Sequence, residues 1–261
     1  MNDHDGPRYT PGKLASSTRA GWQRLGWRPA LALHLGPAAV TFAAALALAP
    51  LLAWLGLRRD FSLTIAFAFV LTPIELGLLL RAAHRVTGRW SLRALPAVLA
   101  YRRPVGRWWL LVPALFGIAV IIAVALTPVG NTAGGWLSGV YPHWMLPSYN
   151  STAGFSSWVL VPTLLATLVI GGVVSPVVEE LYFRGYLLPR LPVAGWGAVP
   201  LSAALFSMQH YWQPYNWLLI FVLQLILTTL TVRLRSVRLG IVMHELTNSF
   251  GILVTLIGIL S

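Results

Sequence analysis

Long apolar runs separated by short polar or basic stretches dominate the chain. They fall at 31–57, 61–80, 108–128, 157–178, 196–212, 216–233 and 239–260. Each is at least about 17 residues, the minimum with which an α-helix rising about 1.5 Å per residue crosses a hydrocarbon core. The pattern predicts an all-α fold: a polytopic membrane helical bundle of about seven transmembrane helices, within a range of about six to eight. Residues 1–30 are polar and basic, and Gly6, Pro7, Pro11 and Gly12 argue against packing there. They read as a cytoplasmic tail, and the apolar run behind them is too long for a secretory signal. The first transmembrane helices then occupy 31–128, and a C-terminal membrane core occupies 156–261.

Composition agrees with the pattern. The 261 residues are 57% hydrophobic and 10% charged, with a mean hydropathy of +0.71, whereas soluble domains carry about 25% charged residues. Nineteen Lys and Arg against seven Asp and Glu give a formal charge of +12. In a soluble chain that excess would point to nucleic acid. Here the basic residues lie between apolar runs, so the partner they imply is the anionic lipid of a cytoplasmic membrane face. The chain has no cysteine, which excludes disulfides, thiolate metal sites and a thiol nucleophile.

The basic residues also predict an orientation. Arg81, Arg85, Arg89, Arg93, Arg102, Arg103 and Arg107 crowd one connection, whereas 128–158 contains no Lys or Arg. The turn 211–216 has none either, and Arg233, Arg235 and Arg238 cluster in the next. This alternation places the N-terminus in the cytoplasm of a multi-pass inner (cytoplasmic) membrane protein. Arg58 and Arg59 break the rule, in a short loop beside Asp60. The aromatic residues of 128–158 (Trp136, Tyr141, Trp144, Tyr149 and Trp158) read as an outer headgroup belt; without cations they are no nucleic-acid surface.

Four of the seven acids are glutamates in or beside apolar runs: Glu75, Glu179, Glu180 and Glu245. An ionisable side chain costs several kcal/mol in a membrane unless paired or hydrated, which makes each a functional candidate. Glu75 stands without a visible partner, and function and helix packing are both open for it. Glu180 and Arg184 are four apart on one helical face and suit an ion pair. Glu179 lies about 100° round the helix and is left free to act as a base. Two histidines follow in separate apolar segments, His210 four residues after Phe206 and His244 four before Asn248. A glutamate can take a proton from water that a histidine holds, and an imidazole with an amide can donate to an oxyanion. Those are the parts for hydrolysis of a peptide bond.

Glu179-Glu180-Leu-Tyr-Phe-Arg184-Gly185 resembles the EExxxR motif of the CPBP family of intramembrane endopeptidases, which includes CAAX prenyl proteases and bacteriocin-processing or immunity proteins. Phe206-Ser-Met-Gln-His210 resembles its FxxxH motif and His244-Glu-Leu-Thr-Asn248 its HxxxN motif, in family order. The resemblance spans about 156–256. It implies a helical bundle whose cavity opens to the cytosol and a membrane-associated peptide or protein substrate. Glu179 would be the base, assisted by His210, with His244 and Asn248 stabilising the oxyanion. Glu180, Arg184 and Phe206 would support them.

A metal is the open alternative. His244-Glu245-Leu-Thr-Asn248 looks like the zinc motif HExxH with its second histidine replaced, and Asn248 is a poor zinc ligand. Glu179, His210 and His244 could still supply a His₂Glu zinc set. The chemistry favours no cofactor, with zinc as the alternative. Two further function classes compete: a non-catalytic membrane scaffold or immunity protein, and an ion-coupled transporter, although no internal repeat supports the latter.

Overall fold

The computed structural model describes residues 23–100, 107–149 and 151–260. Most of the expected tail, residues 1–22, lies outside the described residues, as do Arg102 and Arg103 of the basic connection. The architecture is an all-helical bundle. Six helices are long and apolar enough to cross a membrane: α1 (Trp27–Trp54), α2 (Phe61–Thr87), α3 (Trp108–Leu137), α4 (Ser157–Arg190), α6 (Pro214–Leu234) and α7 (Arg238–Leu260). Between α4 and α6 lies a shorter apolar helix, α5 (Gly195–Met208).

Several boundaries differ from those the apolar pattern predicts. Helix α1 starts inside the stretch read as tail, with Pro29 in its first turn, where a missing N–H breaks no hydrogen bond. Helix α3 does not end at Pro128 but runs through it to Leu137, so the first third of the expected 128–158 loop is helical. Internal prolines are tolerated in membrane helices because neighbouring groups satisfy the freed backbone atoms. Exposed Trp136 closes α3 and exposed Trp158 opens α4. Tyr141 has a packing role instead, its hydroxyl donating to the Tyr211 carbonyl at 2.8 Å. At the mouth of α2, Arg58 is buried against Asp60 and donates to Ser151 at 3.2 Å, so one of the two arginines that break the charge rule is neutralised, while Arg59 is exposed.

The run 196–212 does not form a full span. Helix α5 is about 21 Å long at 1.5 Å per residue, short of the roughly 30 Å hydrocarbon core. The chain leaves the helix at Gln209, and the bend that follows satisfies its own polar backbone. Gln209 N–H donates to Leu205 O at 3.1 Å, His210 N–H to Ser207 O at 3.1 Å, and Gln213 N–H to the His210 carbonyl at 3.1 Å. The Trp217 indole donates to that same carbonyl at 3.2 Å. Irregular backbone at membrane depth is tolerated only where protein or a cavity surrounds it, and both conditions hold here.

Helix α4 is the axis of the bundle. It carries two π-helical stretches, Leu168–Val174 and Glu180–Leu187, on either side of an α-turn at Ser175–Glu179. Such wide turns re-aim side chains and recur at functional sites. Tyr182, Phe183 and Leu187 of α4 pack with Leu79 and Ala83 of α2, Leu95 and Val98, and Phe206 of α5. The Tyr182 hydroxyl ties this core to α1 by donating to Leu33 O at 2.9 Å. A separate cluster of Ala119, Leu227, Leu239 and Met243 joins α3, α6 and α7. Helix α3 is otherwise peripheral, with Ile118, Ile121 and Val124 facing outward.

Burial at equal hydrophobicity separates two α2 residues. Leu79→Ala opens a cavity in the α2–α4 core and should destabilise the bundle by about 2–5 kcal/mol. Phe69→Ala, on a face 77% exposed, should leave the midpoint nearly unchanged in thermal denaturation of the purified protein. Equal loss at both sites would refute this packing.

Candidate active site

The sequence-predicted residues converge at the level where α5 ends. Glu180 and Arg184 have fully buried side chains and form the expected ion pair, with Glu180 Oε1 2.9 Å from Arg184 Nη1. The same Oε1 lies 3.1 Å from His244 Nδ1. A carboxylate only accepts, so the imidazole donates from Nδ1 and its Nε2 is left for another partner. His210 is held in the same way: its Nδ1 donates to the Phe206 carbonyl at 2.8 Å. Both histidines therefore keep Nε2 free of these anchoring bonds.

Phe206 sits at the centre of the cluster. The Arg184 guanidinium lies over its ring at 4.0 Å from the centroid, a cation–π contact strengthened by burial. The rings of Phe183, His210 and His244 surround it at 5.0, 5.0 and 5.7 Å. The aromatic ring thus sets the spacing between both histidines and the arginine. Asn248, one turn beyond His244, donates from Nδ2 to Gly171 O at 3.1 Å, and Ser249 Oγ donates to Gly172 O at 3.3 Å. These bonds fasten α7 to the first π-helical stretch of α4.

A cavity of about 310 Å³ opens beside this cluster. Phe206, His210, Gln224, His244, Thr247 and Asn248 line it together with apolar residues of α3 and α6, among them Leu115, Ala119, Leu223 and Leu227. Glu179 is not in its wall. That glutamate is 5% exposed and makes no hydrogen bond among the described residues. It lies within electrostatic reach of His244, Glu180 and Arg184, beside the histidine end of the cavity.

Two residues of the cluster carry no motif signal. Gln224 of α6 accepts a hydrogen bond from Arg184 Nη2 and also faces the cavity. A lone glutamine amid Leu, Ile and Phe in 217–227 is the trace that could have flagged it. Glu75 is fully buried, with both carboxylate oxygens unpartnered among the described residues. It lies within electrostatic reach of Glu179, Arg184 and Tyr182. The sequence separates Glu75 from Glu179 by about a hundred residues, so only the fold brings them close.

Among the described residues no three His, Asp or Glu side chains converge as a set that could hold one metal ion. Glu179, His210 and His244 do not form such a set in this arrangement, and Glu245 stays out of the cavity wall. As placed here, these residues do not fit a zinc centre.

Residues 161–250, which include every residue of the three motifs, match the family model of the type II CAAX prenyl endopeptidases, Rce1-like. This chain carries an Rce1-like domain. The match identifies it as a membrane protease, a hydrolase of peptide bonds. No curated protein and no solved structure matches the chain. Within the Rce1-like domain, the EExxxR, FxxxH and HxxxN motifs lie on α4, at the end of α5 and on α7, the three elements that meet at Phe206.

The approach of α7 to α4 depends on Gly240. A Cβ there would lie 2.5 Å from Glu180 Oε2, whereas one at Gly251 would meet nothing within 4 Å. Forcing a methyl into packed space costs about 1–3 kcal/mol, and here it also pushes Glu180 off His244. Gly240→Ala should lower both the melting temperature and peptide cleavage, the latter at least about tenfold, the equivalent of about 1.4 kcal/mol in the barrier. Gly251→Ala should leave both within error. A fully active Gly240→Ala would show that the Glu180–His244 contact does not govern the site.

Proposed function

We propose that the chain is a glutamate-dependent intramembrane endopeptidase that cuts a membrane-associated peptide or protein. The observation that carries this reading is the pairing of two histidines, each anchored through Nδ1, in the wall of one cavity next to a glutamate free of hydrogen bonds. Glu179 takes a proton from a water that also donates to His210 Nε2. The oxygen of that water forms a bond to the carbonyl carbon of the substrate. The electron pair displaced onto the carbonyl oxygen is stabilised by the Asn248 N–H that Gly171 does not use and by His244, which donates from Nε2 when doubly protonated with its Nδ1 proton held on Glu180. Collapse of the tetrahedral species breaks the C–N bond, and Glu179 returns its proton to the departing amine.

Glu180 and Arg184 position this machinery and do not react. Glu180 holds the His244 tautomer, as carboxylates behind catalytic imidazoles do, and Arg184 neutralises Glu180. Apolar walls from α3 and α6 favour a substrate with an aliphatic or membrane-embedded portion. A lipid-modified C-terminal peptide of the kind named in the family description is the natural first probe. The arginine distribution supports a cytoplasmic N-terminus in the inner membrane, with anionic lipid on the basic face.

Mutation tests the base. Glu179→Gln keeps the shape and removes proton transfer, so cleavage of a quenched fluorogenic peptide ending in a farnesylated CAAX sequence should fall about 10²–10⁴-fold with folding intact. The wild type should keep full activity after chelation. Most of the activity surviving in Glu179→Gln would refute the base, and activity lost to chelator and restored by zinc would refute the metal-free mechanism.

Orientation has its own test, because the chain has no native cysteine. Ser138→Cys should react with an impermeant thiol reagent in intact cells, and Ser91→Cys only after permeabilisation. The reverse labelling would invert the topology.

A further inference from the structure

Gln224 is a carboxamide in the middle of an apolar membrane helix, 5% exposed, with its two ends in different surroundings. Arginine only donates, so the Gln224 atom that meets Arg184 Nη2 is the carbonyl oxygen. Arg184 is fully buried and takes no part in the cavity wall, whereas Gln224 does. With Oε1 turned to Arg184, the NH₂ at the opposite edge of the same planar group is the polar part left to face the cavity. It does so in an otherwise apolar strip formed by Ile220, Leu223 and Leu227, across from His210, His244 and Asn248.

A pair of N–H groups held rigidly through a buried guanidinium, with no water-facing alternative, is a preorganised donor. Such donors act most strongly where negative charge develops in a site of low dielectric. The ring of polar groups around the cavity contains the two histidine Nε2 atoms and a donor at Asn248. A second amide donor on the facing helix completes a cradle for a peptide carbonyl.

We infer that Gln224 is a further substrate-contacting residue of the protease site, its side-chain N–H donating to the carbonyl oxygen of the peptide bond that is cut. This rests on the protease reading above. The link to Arg184 then has a second consequence: the ion pair that fixes His244 also fixes the opposing donor, so both sides of the carbonyl share one anchor.

The test uses the full chain in detergent or nanodiscs with the farnesylated fluorogenic peptide, and compares wild type, Glu179→Gln, Gln224→Glu and Gln224→Met. Gln224→Glu keeps an oxygen for Arg184 but removes the donors; Gln224→Met removes both without adding charge. Loss of one oxyanion donor lowers kcat about 10²–10³-fold, and that fall is expected in both Gln224 variants, with KM within about threefold. Thermal stability should hold in Gln224→Glu and drop in Gln224→Met, which separates the donor from the arginine contact. If Gln224→Met keeps kcat within about threefold of wild type, the role is overturned, whatever Gln224→Glu does, because its loss then comes from the introduced charge. A wild type that cleaves no faster than Glu179→Gln refutes the protease reading itself, and the role of Gln224 with it.

Discussion

Everything in the C-terminal half is arranged around one buried ion pair. Two opposite charges taken out of water must satisfy each other and their remaining hydrogen-bonding capacity, or the desolvation cost exceeds the attraction. Glu180 and Arg184 meet part of that requirement by recruiting neighbours from three other helices, while Glu180 Oε2 and Arg184 Nε stay without a hydrogen-bond partner among the described residues. His244 of α7 donates to Glu180, Gln224 of α6 accepts from Arg184, and the Phe206 ring of α5 lies against the guanidinium. The absence of a side chain at Gly240 lets α7 come close enough for the first of these. A pair that looks local in sequence therefore fixes the relative placement of four helices.

The same constraint divides the labour between adjacent glutamates. Glu180 is engaged on one oxygen by both Arg184 and His244, and so is bound to a structural role. Glu179 is one residue earlier, at the junction where the α-turn passes into the second π-helical stretch. There it makes no hydrogen bond among the described residues, although it stays within electrostatic reach of Arg184. It remains near His244, which lines the cavity. Identical side chains separated by one peptide unit differ in chemistry because the buried charge pair claims one of them.

Much of this was legible in the chain because it is encoded at short range. The i, i+4 spacings of Glu180 with Arg184, Phe206 with His210 and His244 with Asn248 are helical-face relations, and apolar runs of about 20 residues are membrane-helix signals. The helical character of the fold followed from those two periods, and the grouping of the motif residues from their resemblance to the three family motifs. The end of α5 did not. The run 196–212 is apolar enough to be a span, and what stops the helix at Gln209 is a set of backbone bonds with Trp217, Tyr141 and its own bend. The continuation of α3 through Pro128 was hidden for the opposite reason, since a proline marks a helix end in water and not in a membrane. Gln224 and Glu75 reach the site only through tertiary packing, and no pattern along the chain connects them to it.

Helix length also explains how residues at different depths along their own helices come to meet. Glu180 lies ten residues before Arg190 at the end of α4, and His244 only six after Arg238 at the start of α7. Yet their side chains are 3.1 Å apart. The end of α4 must then project further than the start of α7 if the two run side by side. Helix α4 has the length to do so, since its 34 residues far exceed the ~20 that a single span needs. Helix α5 makes the complementary adjustment: it begins after that projecting end and stops at the depth of the ion pair, placing Phe206 against Arg184 and His210 at the cavity wall. A full-length α5 would continue as regular helix past this level and carry His210 round with it. The short helix and the overlong one are thus two halves of one solution, which brings three motifs together at Phe206, the FxxxH motif running past the end of α5.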